Sequence, residues 1–224
     1  MARTAGSNGP RTAAAIRRAG LRLICRHGFE AMSLRELAAE VGIQAASLYN
    51  HIRTKQDLLC DLIRDHMESL ITRTDEALAA AGPSATDQLR AFIAHHVLYH
   101  LERKQEVLVA NFELRALQPS NRARIVGLRR EYEGRLVAIL EAGVEAGELD
   151  VADTRIGAYA ILAMLTGACT WYRPEGRLTR GQVVALHTDL VLQGCTRAPK
   201  GRRASMLPEA VLDSSGPART RACG

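Results

Sequence analysis

An all-α fold is predicted, with a small three-helix, helix-turn-helix unit at the N-terminus and a larger helical domain behind it. Three observations carry this. Apolar residues recur at helical spacing through most of the chain. No segment shows the strict alternation of a half-buried strand. Residues 33–55, S-L-R-E-L-A-A-E-V-G-I-Q-A-A-S-L-Y-N-H-I-R-T-K, parse as two short helices around a tight turn, with a third starting at once.

In chain order, residues 1–10 read as a flexible basic arm, with Arg3 and Arg11 placed to trail along a groove. A first helix is expected from about Arg11 to His27, turning Ile16, Leu21, Leu23 and Ile24 to the core. Ser33 is a good N-cap, and Glu36 three residues on suggests a capping box. Leu34, Leu37, Ala38 and Val41 then give one narrow apolar face. Gly42 should stop that helix, because glycine enters the left-handed conformation without a Cβ clash. Ile43 buries into the turn, and Gln44 to Asn50 are expected as a seven-residue second helix. Thr54 caps the next helix, which stays periodic through Leu58, Leu59, Leu62, Ile63, Met67, Leu70 and Ile71. It reaches about Ala80, long enough to join two domains. After the break Ala81-Gly82-Pro83-Ser84, helices are expected near 85–102, 104–117, 120–146, 153–171 and 179–194. The domains are thus 11–55 and 56–195. The tail 196–224 is basic and too poor in apolar residues to offset its ordering entropy, so it is read as disordered.

The second helix of the 33–55 stretch is almost stripped of bulk. Ala45, Ala46 and Ser47 let the backbone approach a groove floor, and Leu48 is its only strong anchor. Tyr49 offers apolar contact to a thymine methyl and a hydroxyl to phosphate. His51 follows, and Lys55 sits in a helical first turn, where free N–H groups favour phosphate. With Ser33 and Arg35 at the start of the preceding helix, and Gln44 and Ala45 at base edges, these are the expected contacts to double-stranded DNA. A core helical hairpin is the competing reading, but it would normally carry more than one large apolar residue here.

Residues Ile16 to Leu59 resemble the DNA-binding domain of the TetR family of bacterial transcriptional repressors. The resemblance lies in R-H-G-F (Arg26 to Phe29), S-L-R-E-L-A, V-G-I, S-L-Y (Ser47 to Tyr49) and K-Q-D-L-L (Lys55 to Leu59). Two positions depart from the family pattern. Ile52 stands where phenylalanine is usual, a tolerable core swap. Gln44 stands where a small serine-like cap is common, which bears on operator preference. The resemblance implies a homodimer whose C-terminal domain binds a small-molecule effector and then releases a palindromic operator. It implies a DNA-binding protein, not an enzyme, that works without a cofactor.

Charge is unevenly spread. The chain carries +6 overall, with +5 in residues 1–60, −3 in 61–195 and +4 from 196 onward. Basic ends around an acidic middle agree with a phosphate contact at the N-terminal unit. No run of apolar residues has the length of a membrane span, and the N-terminus lacks a hydrophobic signal core. Five cysteines (25, 60, 169, 195, 223) are scattered without a CxxC pair. Cys25, Cys60 and Cys169 lie among apolar neighbours, so buried free thiols and a reducing cytoplasm are expected.

In the larger domain, Phe92, His96, Tyr99, Asn111, Phe112, Arg115, Tyr132, Met164 and Trp171 are the candidate ligand contacts. They supply apolar walls with a few polar groups, although such a stripe is also what ordinary core provides. Arg115, Arg122, Arg124, Arg129 and Arg130 form a basic run that either grips an anionic group or faces solvent. Ala160, Met164 and Gly167, with Val184, Leu190 and Val191 on the final helix, are the candidate dimer interface. Together they would form a four-helix contact about a two-fold axis. The segment W-Y-R-P-E-G-R-L-T (Trp171 to Thr179), with V-L-Q-G near the end of the last helix, is similar to TetR members that control lipid, sterol or fatty-acid breakdown. That implies an acyl-CoA or related lipid effector, with drug-like or aromatic effectors left open. His96 and His100, four apart beside His95, raise metal sensing as an alternative. No metal site is assigned, because no cysteine pair accompanies them. Neither G-x-S-x-G, a phosphate-cradling loop nor a dinucleotide fingerprint occurs.

Overall fold

The computed structural model describes residues 9–196. Among these there are nine α-helices and no strand: α1 (Gly9–His27), α2 (Leu34–Val41), α3 (Ala45–Leu48), α4 (Lys55–Ala79), α5 (Ala85–Glu102), α6 (Lys104–Phe112), α7 (Pro119–Glu145), α8 (Thr154–Trp171) and α9 (Arg180–Cys195). A short 3-10 turn, Leu114–Ala116, lies between α6 and α7.

The helix ends follow local chemistry. Ser33 accepts the Glu36 N–H, Thr54 that of Asp57 and Ser84 that of Asp87. Asp153 takes the first free N–H groups of α8, those of Arg155 and Ile156. Gly42 adopts φ 74°, and the Ile43 N–H closes back on the Ala38 carbonyl at 3.0 Å. The box expected at Ser33 is incomplete. The Glu36 carboxylate instead approaches His27 at 3.7 Å, and a full reciprocal box forms at Thr179 and Gln182.

Three expected boundaries move. The helix predicted for 104–117 ends at Phe112 and tightens into the 3-10 turn. The first helix begins at Gly9, with Pro10 in its first turn, so the arm is shorter than 1–10. Residues 1–8 and nearly all of the tail lie outside the described residues. The seven-residue second helix is four residues long, and turns follow it through His51.

α1 to α3 form the N-terminal unit, with Leu48, Leu37, Ile16 and Leu23 at its centre. α4, roughly 38 Å long by its 25 residues, runs from this unit into the larger domain. There α5 is central and packs on α4, α7, α8 and α9, while α6 lies against α1 and α4. Gly143 on α7 is the point of close approach: a Cβ there would collide with Leu149 and press on Ala85. One continuous core runs through both parts. None of the described helices is long and apolar enough to cross a membrane.

Candidate nucleic-acid interface and effector cavity

The outward face of α2 and α3 is built by subtraction. Leu48 is fully buried beneath α3, so the residues around it must point away from the core. Arg35, Gln44, Ala45, Ala46 and Tyr49 are exposed, Tyr49 by 58%, and Ser47 and His51 are half-buried at the edges. Gln44 is the N-cap residue of α3 in extended geometry, but its side chain makes no cap bond. Its amide is therefore uncommitted. Ser33 is exposed but spends its hydroxyl on the Glu36 N–H.

Lys55, another expected DNA contact, is likewise committed within the protein. Its ammonium donates to the carbonyls of Glu30 and Met32, both at 3.0 Å, and lies 4.4 Å from the centre of the Phe29 ring. The side chain thus pins the α1–α2 loop to α4. What Lys55 presents outward is the start of a helix rather than a free charge. Arg22 clamps α2 to α1 through Glu40 at 2.7 Å, and Arg17 ties α1 to Asp61 and Asp65 on α4.

A cavity of about 100 Å³ lies inside the larger domain. Its apolar wall is Met67, Leu70, Ala110 and Leu162. Its polar wall is His66, His96, His100, Asn111, Arg129, Tyr132, Glu133 and Thr166. The histidines sit on α4 and α5 at positions that helical spacing turns inward. His96 and His100, one turn apart, stack with ring centres 3.7 Å apart. His96 bonds Tyr132 Oη at 2.7 Å through Nδ1 and Thr166 Oγ1 at 3.1 Å through Nε2. His100 Nδ1 faces the His96 carbonyl at 2.8 Å. A carbonyl only accepts, so that nitrogen carries the proton.

Burial sets the charge of this wall. It draws His66 down to about 3 and His100 to about 4, and holds His96 well below the ordinary imidazole value. The neighbouring imidazoles add to the effect at His66 and His96. All three rings are therefore neutral at pH 7. Burial likewise pushes the Tyr132 phenol up, which keeps its proton in place. Arg129 donates from Nη2 to the Ala110 carbonyl at 2.7 Å and to Asn111 Oδ1 at 2.9 Å, holding the end of α6.

Of the predicted ligand contacts, His96, Asn111 and Tyr132 meet at this cavity. Phe92 is buried behind it, stacked on Tyr132, and Tyr99 donates to the His66 carbonyl from outside the lining. The other four lie away from this cavity. Phe112 is 63% exposed where α6 ends, and Arg115 is exposed on the 3-10 turn. Trp171 stacks on His187 at the surface, and Met164 is packed among the core's outer contacts. Of the polar wall, His66, Glu133 and Thr166 were not anticipated, and Arg129 and His100 were expected only in a basic run and in the metal alternative. His66 had a readable signal: it is a polar residue between Ile63 and Met67 on the apolar stripe of α4.

The proposed interface residues divide. Ala160 and Leu190 are exposed and Gly167 is half-exposed, while Met164 and Val184 are partly buried. Val191 is corrected: at 4% exposure it faces its own subunit's core. Ile156, Tyr159 and Leu186 are large exposed apolar residues on the same two helices. Cys60 and Cys169 are buried free thiols as expected and Cys195 is a third, but Cys25, also expected to be buried, is exposed and lies 3.4 Å from the Gln105 carbonyl.

The family described as bacterial regulatory proteins, tetR family, matches residues 16–62. The tetracyclin repressor-like C-terminal domain matches residues 82–195, half of the chain. The HTH-type transcriptional repressor KstR2 of Rhodococcus jostii is 25% identical over 85% of this chain and 93% of its own length. The fatty acid metabolism regulator protein of Bacillus subtilis is 24% identical over 58% of this chain and 67% of its own. Among solved structures, AibR in complex with isovaleryl coenzyme A and operator DNA aligns with a TM-score of 0.74. Its sequence identity is 27%, over 80% of this chain and 97% of that one.

Proposed function

The chain belongs to the tetR family of bacterial regulatory proteins, and within that family we propose that it is a homodimeric repressor that releases its operator when an acyl-CoA or related lipid enters the larger domain. The observation that carries the reading is the face of α3. A helix with Leu48 fully buried and Ala45, Ala46 and Tyr49 outward presents a low surface to a major groove. Two such faces, related by a two-fold axis, would span successive grooves of a pseudo-palindrome. The exposed apolar residues of α8 and α9 supply the surface for that pairing.

The effector reading draws support from the relatives. One is named for fatty acid metabolism, and one was solved with isovaleryl coenzyme A and operator DNA. The cavity is far smaller than a whole coenzyme A thioester requires, so it suits the acyl end, with the nucleotide part left outside. Metal sensing is not favoured. No group of three His, Cys, Asp or Glu side chains among the described residues is placed to hold an ion, and both ring nitrogens of His96 are already bonded.

The coupling route is physical. Arg129 at the cavity holds the end of α6. Just beyond it, Glu113 accepts the Phe29 N–H at 3.3 Å and Gln56 grips the 3-10 turn, so α6 is tied to the reading unit. A ligand that prefers a shifted α6 must weaken operator binding by the same factor by which the operator weakens the ligand. The test is a titration against the gene's own upstream region, and against a selected operator if that region fails, with and without long-chain acyl-CoA. Specific binding that acyl-CoA abolishes is expected. Specific binding untouched by acyl-CoA would discard the effector, and no specific operator from either source would discard the regulator.

A further inference from the structure

Most polar groups of the cavity are already committed. His96 uses both ring nitrogens, Tyr132 Oη faces His96, and His100 Nδ1 donates to a carbonyl. Two lining residues each keep a buried nitrogen with no partner: Arg129 at Nε and His66 at Nδ1. His66 is only 6% exposed. Arg129 Nε–H can only donate, and the neutral His66 ring offers one donor and one acceptor.

From this we propose that the buried end of the effector carries a carbonyl oxygen, received by Arg129 Nε and His66. The reading rests on the cavity being the effector site. Both nitrogens are already shut off from water without a partner, so a saturated acyl end would leave that deficit in place, whereas an oxygen acceptor would relieve it and bind more tightly. A carboxylate is the poorer match. The lining already holds one positive side chain, Arg129, and one negative, Glu133, so an added anion would be in excess. The discriminating feature is therefore a neutral oxygen acceptor, as in a ketone or oxo-acyl group. A site built to bond an oxygen discriminates strongly against the analogue that lacks it.

The probes are cyclohexanone and methylenecyclohexane, which share a shape and differ by a carbonyl oxygen for a methylene. Each is titrated into the full chain while the histidine ring nitrogens are followed by long-range proton–nitrogen NMR. Cyclohexanone is expected to shift the His66 ring and to bind about ten-fold more tightly than the alkene. His66→Leu, which keeps the space filled, and Arg129→Lys, which keeps the charge but removes Nε–H, should each shrink that preference. Equal binding of the two probes, failure of both to shift His66, or a preference unchanged in both variants would overturn the proposal. Operator release by acyl-CoA is read separately, so a regulator without this cavity preference, and the preference without release, are distinct results.

Discussion

Gln56, one residue inside the helix that leaves the reading unit, donates from its side-chain amide to the Ala116 carbonyl at 2.7 Å. The same amide accepts the Gln118 N–H at 3.1 Å. One side chain thus satisfies both backbone groups at the junction of the 3-10 turn and α7, where Gln118 precedes the helix and has no side-chain cap of its own. The junction that follows α6 is therefore fastened to the base of the DNA-binding unit.

Gln56→Ala should release that junction. The expected cost to global stability is about 1 kcal/mol, because two ordinary hydrogen bonds are exchanged for water in a part-buried setting. The local effect is larger: the Gln118 amide should exchange with solvent faster than in the parent protein, while amides in α5 stay protected. Hydrogen exchange resolves both. Equal protection at Gln118 in the two proteins would remove the clamp from the coupling route.

Leu48 and Tyr49 are neighbours with opposite roles. Leu48 is fully buried and Tyr49 is 58% exposed. Leu48→Ala should destabilise by about 2–5 kcal/mol, since it hollows the only anchor of α3. Tyr49→Ala should stay within about 0.5 kcal/mol of the parent in stability and still weaken DNA binding. Paired thermal melts and binding titrations separate them. A Tyr49 variant that binds the operator unchanged would take this residue off the reading face.

How far the sequence foretold these features depended on how local their causes are. The caps at Ser33 and Thr54 and the left-handed Gly42 are written within four residues, and they appear where expected. The α3 boundary was overcalled because Tyr49, Asn50 and His51 continue the composition of a helix while the chain turns toward Thr54. The end of α6 was overcalled for a related reason: Leu114 and Leu117 keep the apolar spacing, but the turn serves contacts from Gln56 and Glu113 that lie far away in sequence. The cavity was half legible. His96, Asn111 and Tyr132 were recognised as types, but their convergence with His66 and Arg129 depends on how α4, α5, α6 and α7 pack. Lys55 shows the same limit, since a lysine at a helix start looks like a phosphate contact until its carbonyl partners are known.

Leu190 is 61% exposed on α9, and Tyr159 is 51% exposed on α8. Leu190→Asp should leave the fold of one subunit intact, because the residue is mostly exposed on it. A charge at the centre of an apolar pairing surface should shift the protein from dimer to monomer. Light scattering after size exclusion reads that directly. The monomer should keep only the weak, salt-sensitive attraction of a single basic head for DNA. A Leu190→Asp protein that remains dimeric would place the interface elsewhere.

Acid sensitivity follows from the buried imidazoles. His66 and His100 lie near 3 and 4 in the folded protein, against an ordinary value of 6.5. Between pH 6.5 and about 4 the unfolded chain takes up protons that the folded protein refuses, so stability rises with pH and falls on acidification. Each such histidine contributes a slope that approaches about 1.4 kcal/mol per pH unit inside that window and fades above about pH 7, where both states become neutral. His100→Phe keeps a ring for stacking and removes one titrating group. Its unfolding free energy, measured by denaturant at steps from pH 7.5 to 4.5, should decline less steeply than the parent's, with the two curves parallel above pH 7. Equal slopes below pH 6 would mean that the His100 ring takes up its proton without unfolding, and that the stack with His96 tolerates a charge.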